Sequence, residues 1–209
     1  MQSMLQASFS IVDQIMIGQL GETNISAVGL CGNFSLIFSV VIGAVSTVAG
    51  ILIAQFIGAD DLKEAWCGFD VSLICGLLIA AVFLFVSGLF PAQILRLYTK
   101  DVEIINAGIV YFRIISLFYI ISLVGSIFVG YYRGTGHVNI PVIGTTLQIV
   151  IRVILSYLLV GKMGIGGVAL ATGIGWIGII TFQISVFVIK KYYKIQSEDM
   201  NLDIVKSQE

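Results

Sequence analysis

The sequence of 209 residues contains little charge. Only 11% of the residues are Asp, Glu, Lys or Arg, whereas roughly 25% is usual for a soluble domain. A surface that faces water cannot be covered with so few charges, so lipid is expected to be the solvent for most of the chain. The 12 acidic and 11 basic residues nearly balance, which gives no indication of nucleic-acid binding.

Proline, histidine and cysteine are also scarce. Two prolines fit long helices, and one histidine with three cysteines, none in a CxxC pair, argues against metal or disulfide chemistry. Cys31, Cys67 and Cys75 lie in apolar stretches and are interpreted as buried, unreactive thiols. The sequence also lacks the HExxH and GxSxG motifs of common hydrolases. We therefore expect no cofactor, no metal site and no enzymatic activity.

Apolar residues are abundant: they make up 58% of the chain, and the mean hydropathy is +1.03. A helix needs about 20 apolar residues to cross the hydrocarbon core of a bilayer. Six stretches meet this requirement: 1–18, 26–57, 67–90, 104–130, 141–160 and 166–189. The predicted fold is thus all-α, a polytopic membrane protein with a six-helix transmembrane bundle over residues 1–190. A polar cytosolic tail is predicted for residues 191–209.

The distribution of Lys and Arg predicts the orientation, because these residues concentrate in cytoplasmic loops. One side of the predicted bundle holds Lys63, Arg133, Lys190, Lys191, Lys194 and Lys206. The other side holds Arg96, Lys100 and Lys162. Six positive residues against three predict a cell-membrane protein with both termini in the cytoplasm.

The first span carries a polar stripe. Gln6, Ser10 and Asp13 fall, with neighbouring Gln and Ser residues, within an arc of about 120° at 100° per residue. Such a stripe cannot face lipid, because unsatisfied polar groups in hydrocarbon are costly. It either contacts other helices or lines a wet cavity. An acid within a span favours a functional role, so Asp13 points to the cavity.

A second stripe, on the fifth span, includes Gln148, Arg152 and Ser156. Arg152 lies about 12 Å from the outer end of its span at 1.5 Å per residue, and Asp13 has a similar depth. A buried charge requires a partner, so a pair between Asp13 and Arg152 is predicted; water or other partners are the alternative. In the sixth span, Thr172 and Gln183 share one face, which either lines the same cavity or packs.

A series of short motifs resembles the multidrug and toxic compound extrusion (MATE) family and covers nearly the whole chain. They are the runs at 12–21, 25–29, 49–55 with 58–60, 111–114, 133–136 and 166–172, in the family's order. The resemblance implies one six-helix lobe of a twelve-helix, two-lobe transporter. Members export organic compounds and drugs in exchange for Na⁺ or H⁺, so a half-length antiporter is expected.

The resemblance also assigns roles to residues. Asp13 matches the acid that the family uses for cation coupling in the first helix. Arg152 and Ser156 stand where N-terminal lobes commonly carry Asn and Asp, and an arginine there is similar to C-terminal lobes, so either lobe is possible. The residues expected to couple ions or to line the cavity are Asp13, Arg152, Gln6, Ser10, Gln148, Ser156, Thr172 and Gln183.

Two other functions are compatible with the pattern. The first is a relative of the lipid-linked oligosaccharide flippases, which would carry several basic residues in the cavity. The second is an inactive transporter fragment. The expected partners are the bilayer, a small-molecule substrate with H⁺ or Na⁺, and either a second six-helix lobe or a parallel homodimer.

Overall fold

The computed structural model describes Gly18 and residues 21–206 of the chain. Within that part the chain forms seven helices and no strand. They are α1 (Glu22–Gly58), α2 (Leu62–Leu89), α3 (Pro91–Tyr98), α4 (Val102–Ser116), α5 (Tyr119–Gly134), α6 (Asn139–Met163) and α7 (Ile165–Lys206). The all-α prediction is confirmed.

Four of these helices are long and apolar enough to cross a membrane: α1, α2, α6 and the part of α7 from Ile165 to Ile189. The bent pair α4–α5 passes the same test as one unit, which gives up to five spans among residues 21–206. The first predicted span, 1–18, lies outside the described residues except for Gly18.

Acidic side chains define where two of the helices begin. The carboxylate of Asp61 accepts a hydrogen bond from Glu64 N at 3.1 Å before α2. The carboxylate of Asp101 accepts one from Glu103 N at 2.9 Å before α4. Both caps satisfy main-chain donors that have no partner within the helix. For this reason α2 begins at Leu62, several residues before the predicted apolar span at 67.

A short helix follows the third predicted span, where only a connector was expected. Pro91 occupies the first turn of α3, a position that suits proline because no main-chain donor is needed there. Ile94 and Leu95 are buried against the bundle, whereas Leu97 is exposed. The two buried side chains attach this short helix to the bundle.

The three cysteines do not share one environment. Cys31 is fully buried in α1, and its thiol donates to the main-chain oxygen of Gly108 at 3.6 Å. Cys67 and Cys75 lie on the exposed face of α2. The expectation of three buried thiols is wrong for these two, because an apolar span in lipid turns apolar and weakly polar side chains outward as readily as inward.

The predicted span 104–130 consists of two helices, α4 and α5, that meet at an angle of 53°. The hydroxyl of Ser116 donates to Arg113 O at 3.2 Å, and Phe118 N donates to Ile115 O at 3.0 Å. These contacts tighten the last turn of α4 and interrupt the regular pattern, a recognised effect of serine in helices. Phe118 then packs directly onto Gly173 of α7.

The main chains of α1 and α5 touch along a line of small residues that we call the glycine seam: Ser46 and Gly50 of α1 with Ser126, Gly130 and Gly134 of α5. The hydroxyl of Ser46 donates to the main-chain oxygen of Ser126. A Cβ atom on Gly50 would lie 2.9 Å from Gly130 O. Small residues four apart allow such close approach in membranes.

Aromatic clusters flank the glycine seam on both sides. On one side of the seam, Phe38 packs against Tyr119 with ring centroids 4.3 Å apart and against Phe83 at 5.2 Å. On the other side, Trp66 stacks on Tyr131 at 5.7 Å.

Helix α1 runs in the same direction as α4 and α5. Along α1 the contacts pair Cys31 with Gly108, Phe38 with Tyr119 and Ser46 with Ser126, so the residue numbers rise together on both sides.

Helices α6 and α7 form an antiparallel hairpin. Gly164 adopts φ +55° at the turn, a conformation that favours glycine. In the described part of the chain, α6 packs almost entirely against α7 and only slightly against α5. The position of α6 is therefore set by α7.

The close approach in the glycine seam predicts a large effect of one methyl group. Gly130→Ala places a Cβ against the main chain at Ser46, 3.1 Å from its carbonyl carbon and closer still to its oxygen. We expect destabilisation by about 1–3 kcal/mol, as for other overpacked sites, measured by thermal unfolding in detergent. Gly43→Ala is the control, because nothing lies within 4 Å of its Cβ position. Equal thermal midpoints for the two variants would contradict the seam.

Candidate functional site

The polar residues predicted on the fifth span lie on α6. Ser156 is 1% exposed, and its hydroxyl has no hydrogen-bond partner among the described residues. Gln148 and Arg152 are half-buried, two turns and one turn before it respectively. Thr145 is buried and its hydroxyl donates to Pro141 O at 2.8 Å, within its own helix. Ser156 is thus the hydroxyl on this face that the described part of the bundle leaves unsatisfied.

Gly175 of α7 brings the two helices close at this level. A Cβ atom there would lie 3.2 Å from the main-chain oxygen of Gln148 and 3.5 Å from Cβ of Arg152. The α7 main chain therefore covers the stem of Arg152. A larger side chain at 175 would press against Gln148 and Arg152 of α6.

Thr172 joins this group from α7. Thr172 lies about one turn from Gly175 in the direction of the Gly164 turn. Ser156 lies one turn from Arg152 in the same direction, so the two hydroxyls lie at the same level of the antiparallel hairpin. Thr172 is buried, and its hydroxyl donates to Val168 O at 2.9 Å. Its oxygen keeps a lone pair for another donor. We call Gln148, Arg152, Ser156 and Thr172 the α6–α7 polar cluster.

Gln183 is not part of this cluster. It follows Gly175 by eight residues, about 12 Å along the helix. The Cβ position of Gly125 in α5 lies 3.8 Å from its Oε1, and the Tyr132 hydroxyl of α5 donates to its main-chain oxygen at 2.6 Å. The structure thus places Gln183 at the contact between α5 and α7.

Three predicted site residues, Gln6, Ser10 and Asp13, lie outside the described residues. The pair between Asp13 and Arg152 consequently stays a prediction. The four residues of the α6–α7 polar cluster are the part of the predicted site that the structure brings together.

One polar contact in the bundle was not anticipated from the sequence. The hydroxyls of Ser35 and Tyr119 lie 3.0 Å apart, and Tyr119 is fully buried. The ring of Trp176 approaches Tyr119 with centroids 6.4 Å apart. Ser122 and Ser126 follow Tyr119 by about one and two turns of the same helix, so the sequence contains a polar stripe that could have located this contact.

The chemistry of the cluster follows from its groups. A guanidinium is always charged and offers several donors, and the hydroxyl oxygens of Ser156 and Thr172 can accept hydrogen bonds. A fixed positive charge attracts anionic groups and repels cations at short range, more strongly where water is excluded. The described residues contain no cluster of three or more His, Cys, Asp or Glu that could hold a metal ion.

Comparison with known proteins gives a consistent assignment. The MatE family model matches residues 1–158. The probable multidrug resistance protein NorM of Thermotoga maritima is 26% identical over 206 residues, which cover 91% of this chain and 44% of that protein.

Solved structures share the fold at low sequence identity. A MATE protein in the bent conformation superposes with a TM-score of 0.83 at 21% identity and covers 89% of this chain and 42% of its own. A MOP superfamily transporter from Pyrococcus furiosus Vc1 is described by the reverse polarity of its binding pocket. It superposes with a TM-score of 0.77 at 22% sequence identity, and the match covers 90% of this chain and 42% of that transporter. This chain spans less than half the length of each of these proteins. The chain belongs to the MATE family of membrane transporters and corresponds in extent to one lobe.

Proposed function

We propose that this chain forms one lobe of an antiporter that exports organic compounds in exchange for protons. The observation that carries the proposal is the α6–α7 polar cluster, a charge and two hydroxyls within an apolar bundle. Ser156 is buried without a described partner, which is costly in a structural contact and useful in a binding site. The NorM relative is named for multidrug resistance, which supports this substrate class.

Protons are favoured over Na⁺ as the coupling ion. A bound Na⁺ needs several oxygen ligands, and Arg152 places a positive charge on the same face of α6 as Ser156. A carboxyl group can instead take up a proton without further ligands. Asp13, the acid predicted in the first span, is the proposed proton carrier, and its pairing with Arg152 would link proton uptake to the position of α6.

A second candidate function is the movement of an anionic, lipid-linked oligosaccharide. Arg152 favours it, because a guanidinium binds phosphate in a bidentate way. The Pyrococcus furiosus transporter, whose pocket polarity is reversed, was suggested to have a different function. Competition of transport by anionic lipids, but not by organic cations, would favour this candidate.

The proposed assembly supplies a second lobe. The chain spans 42% of the solved MATE chain in the bent conformation. We propose that, if it works alone, two copies associate as a parallel homodimer; the alternative is a second six-helix lobe from another chain. With six spans and both termini in the cytoplasm of a cell membrane, two copies inserted in the same orientation can be related by an axis along the membrane normal. The polar faces would then enclose one wet cavity.

Transport in proteoliposomes tests the function and the coupling ion together. We expect a pH gradient to drive movement of ethidium, an organic cation, and a Na⁺ gradient to have no effect. Asp13→Asn should abolish the proton-driven rate, because the amide cannot exchange a proton. Arg113→Gln, at an exposed residue of α4, serves as the control with normal rates. Transport driven by Na⁺ and indifferent to pH would refute proton coupling.

A double-mutant cycle tests the pair between Asp13 and Arg152. Removing one partner of a buried pair costs about 3–5 kcal/mol, because the other charge stays uncompensated. We expect Asp13→Asn and Arg152→Gln each to lower the thermal midpoint strongly, and the double variant to lose less than the sum. Additive effects would indicate that the two residues do not interact.

The mass of the purified protein in mild detergent tests the assembly. Light scattering should give a protein mass of twice 22.6 kDa for the transport-active form. A monomer with full transport activity would rule out the dimer. A chain that is isolated only as aggregate would favour the inactive fragment.

A further inference from the structure

Gln183 presents an unsatisfied amide in the middle of an apolar helix. Its side chain is 0% exposed, and neither Oε1 nor Nε2 has a hydrogen-bond partner among the described residues. It lies in the part of α7 that is apolar enough to span a membrane. A primary amide offers two donors and an acceptor with two lone pairs, so an unusual number of polar sites is left unmatched at one point.

The neighbours of Gln183 do not compete for its amide. The Tyr132 hydroxyl donates to the main-chain oxygen of Gln183 rather than to its side chain. Gly125 offers no side chain on the α5 side, where its Cβ position lies 3.8 Å from Oε1. Ile180 fills the adjacent space, 3.1 Å from that same position.

The chemistry of the amide restricts what can occupy the site. The occupant must donate to Oε1 and accept from Nε2. It must also be neutral, because the described residues at this contact include no charged side chain that would balance a charged occupant. It must be small as well, because α5 and α7 are in close contact at this point. Buried polar groups in proteins are nearly always satisfied, and buried water supplies the partner where protein groups do not.

We propose that Gln183 holds bound water between α5 and α7, at a site separate from the α6–α7 polar cluster. The water donates one hydrogen to Oε1 of Gln183, and a second water, or the same one where the geometry allows, accepts from Nε2. About 12 Å of helix separates this site from Arg152. Its existence does not depend on which substrate or ion the protein transports.

The site is tested by a density map of the full chain at a resolution where ordered water is visible. We expect a separate peak within hydrogen-bonding distance of Oε1 or Nε2 of Gln183. A map without a peak overturns the proposal. So does density continuous with a side chain from residues 1–17, since that side chain would then be the partner of the amide.

Thermal unfolding gives an independent readout. Gln183→Leu removes the partner of the water and should lower the thermal midpoint by roughly 2–4 °C, the shift typical of one lost interaction in a chain of this size. If the amide has no partner at all, the same change removes an unsatisfied group and raises the midpoint, which counts against bound water. Gln55→Leu, at an exposed amide near the end of α1, is the matched control and should leave the midpoint unchanged.

Discussion

The direct contact between the main chains of α1 and α5 constrains the rest of the bundle. At Gly50 and Gly130 no side chain separates the two helices, so their spacing and register cannot vary without a clash. A second close approach lies nearer the start of α1, where Cys31 contacts Gly108 of α4. The bend between α4 and α5 lies between these two contacts and lets both helices remain against α1. Phe118 at the bend then fixes α7 through Gly173.

Lipid as a solvent explains how the polar groups are arranged. Most hydroxyls in the bundle donate to a carbonyl one turn earlier in their own helix, as Ser72, Thr172 and Thr181 do. This solution needs no neighbouring helix and leaves the donor satisfied. The hydroxyl of Ser156 and the side-chain amide of Gln183 make no such hydrogen bond to a described residue, although both side chains are more deeply buried than most of these hydroxyls. In an apolar environment, such buried groups are available to bind a ligand or a buried water molecule.

The sequence predicted the architecture better than the geometry of the site. Hydropathy located the long helices, because 20 apolar residues have few alternatives to a span. It missed the bend at 117–118, since neither Pro nor Gly marks it and the cause is a serine hydroxyl together with packing. The angular spacing of Thr172 and Gln183 predicts that they share one face, and both are buried. However, 11 residues of helix extend about 16 Å, and only Gln183 receives the hydrogen bond from Tyr132 of α5 at its main-chain oxygen, so the two residues lie at different levels of the bundle. The partners of Gly130 could not be predicted, because the contact joins residues 80 positions apart.

The attachment of α6 through α7 has an electrical consequence. Because α6 has little other contact with the described bundle, a displacement of α7 along the membrane normal carries Arg152 with it. A positive charge that moves through the transmembrane potential performs work of about 2.3 kcal/mol per 100 mV for a full crossing, and a proportionate fraction for a shorter step. Because the guanidinium group keeps its charge at every physiological pH, this electrical work does not depend on pH. A membrane voltage would therefore favour one direction of any such displacement of the α6–α7 hairpin.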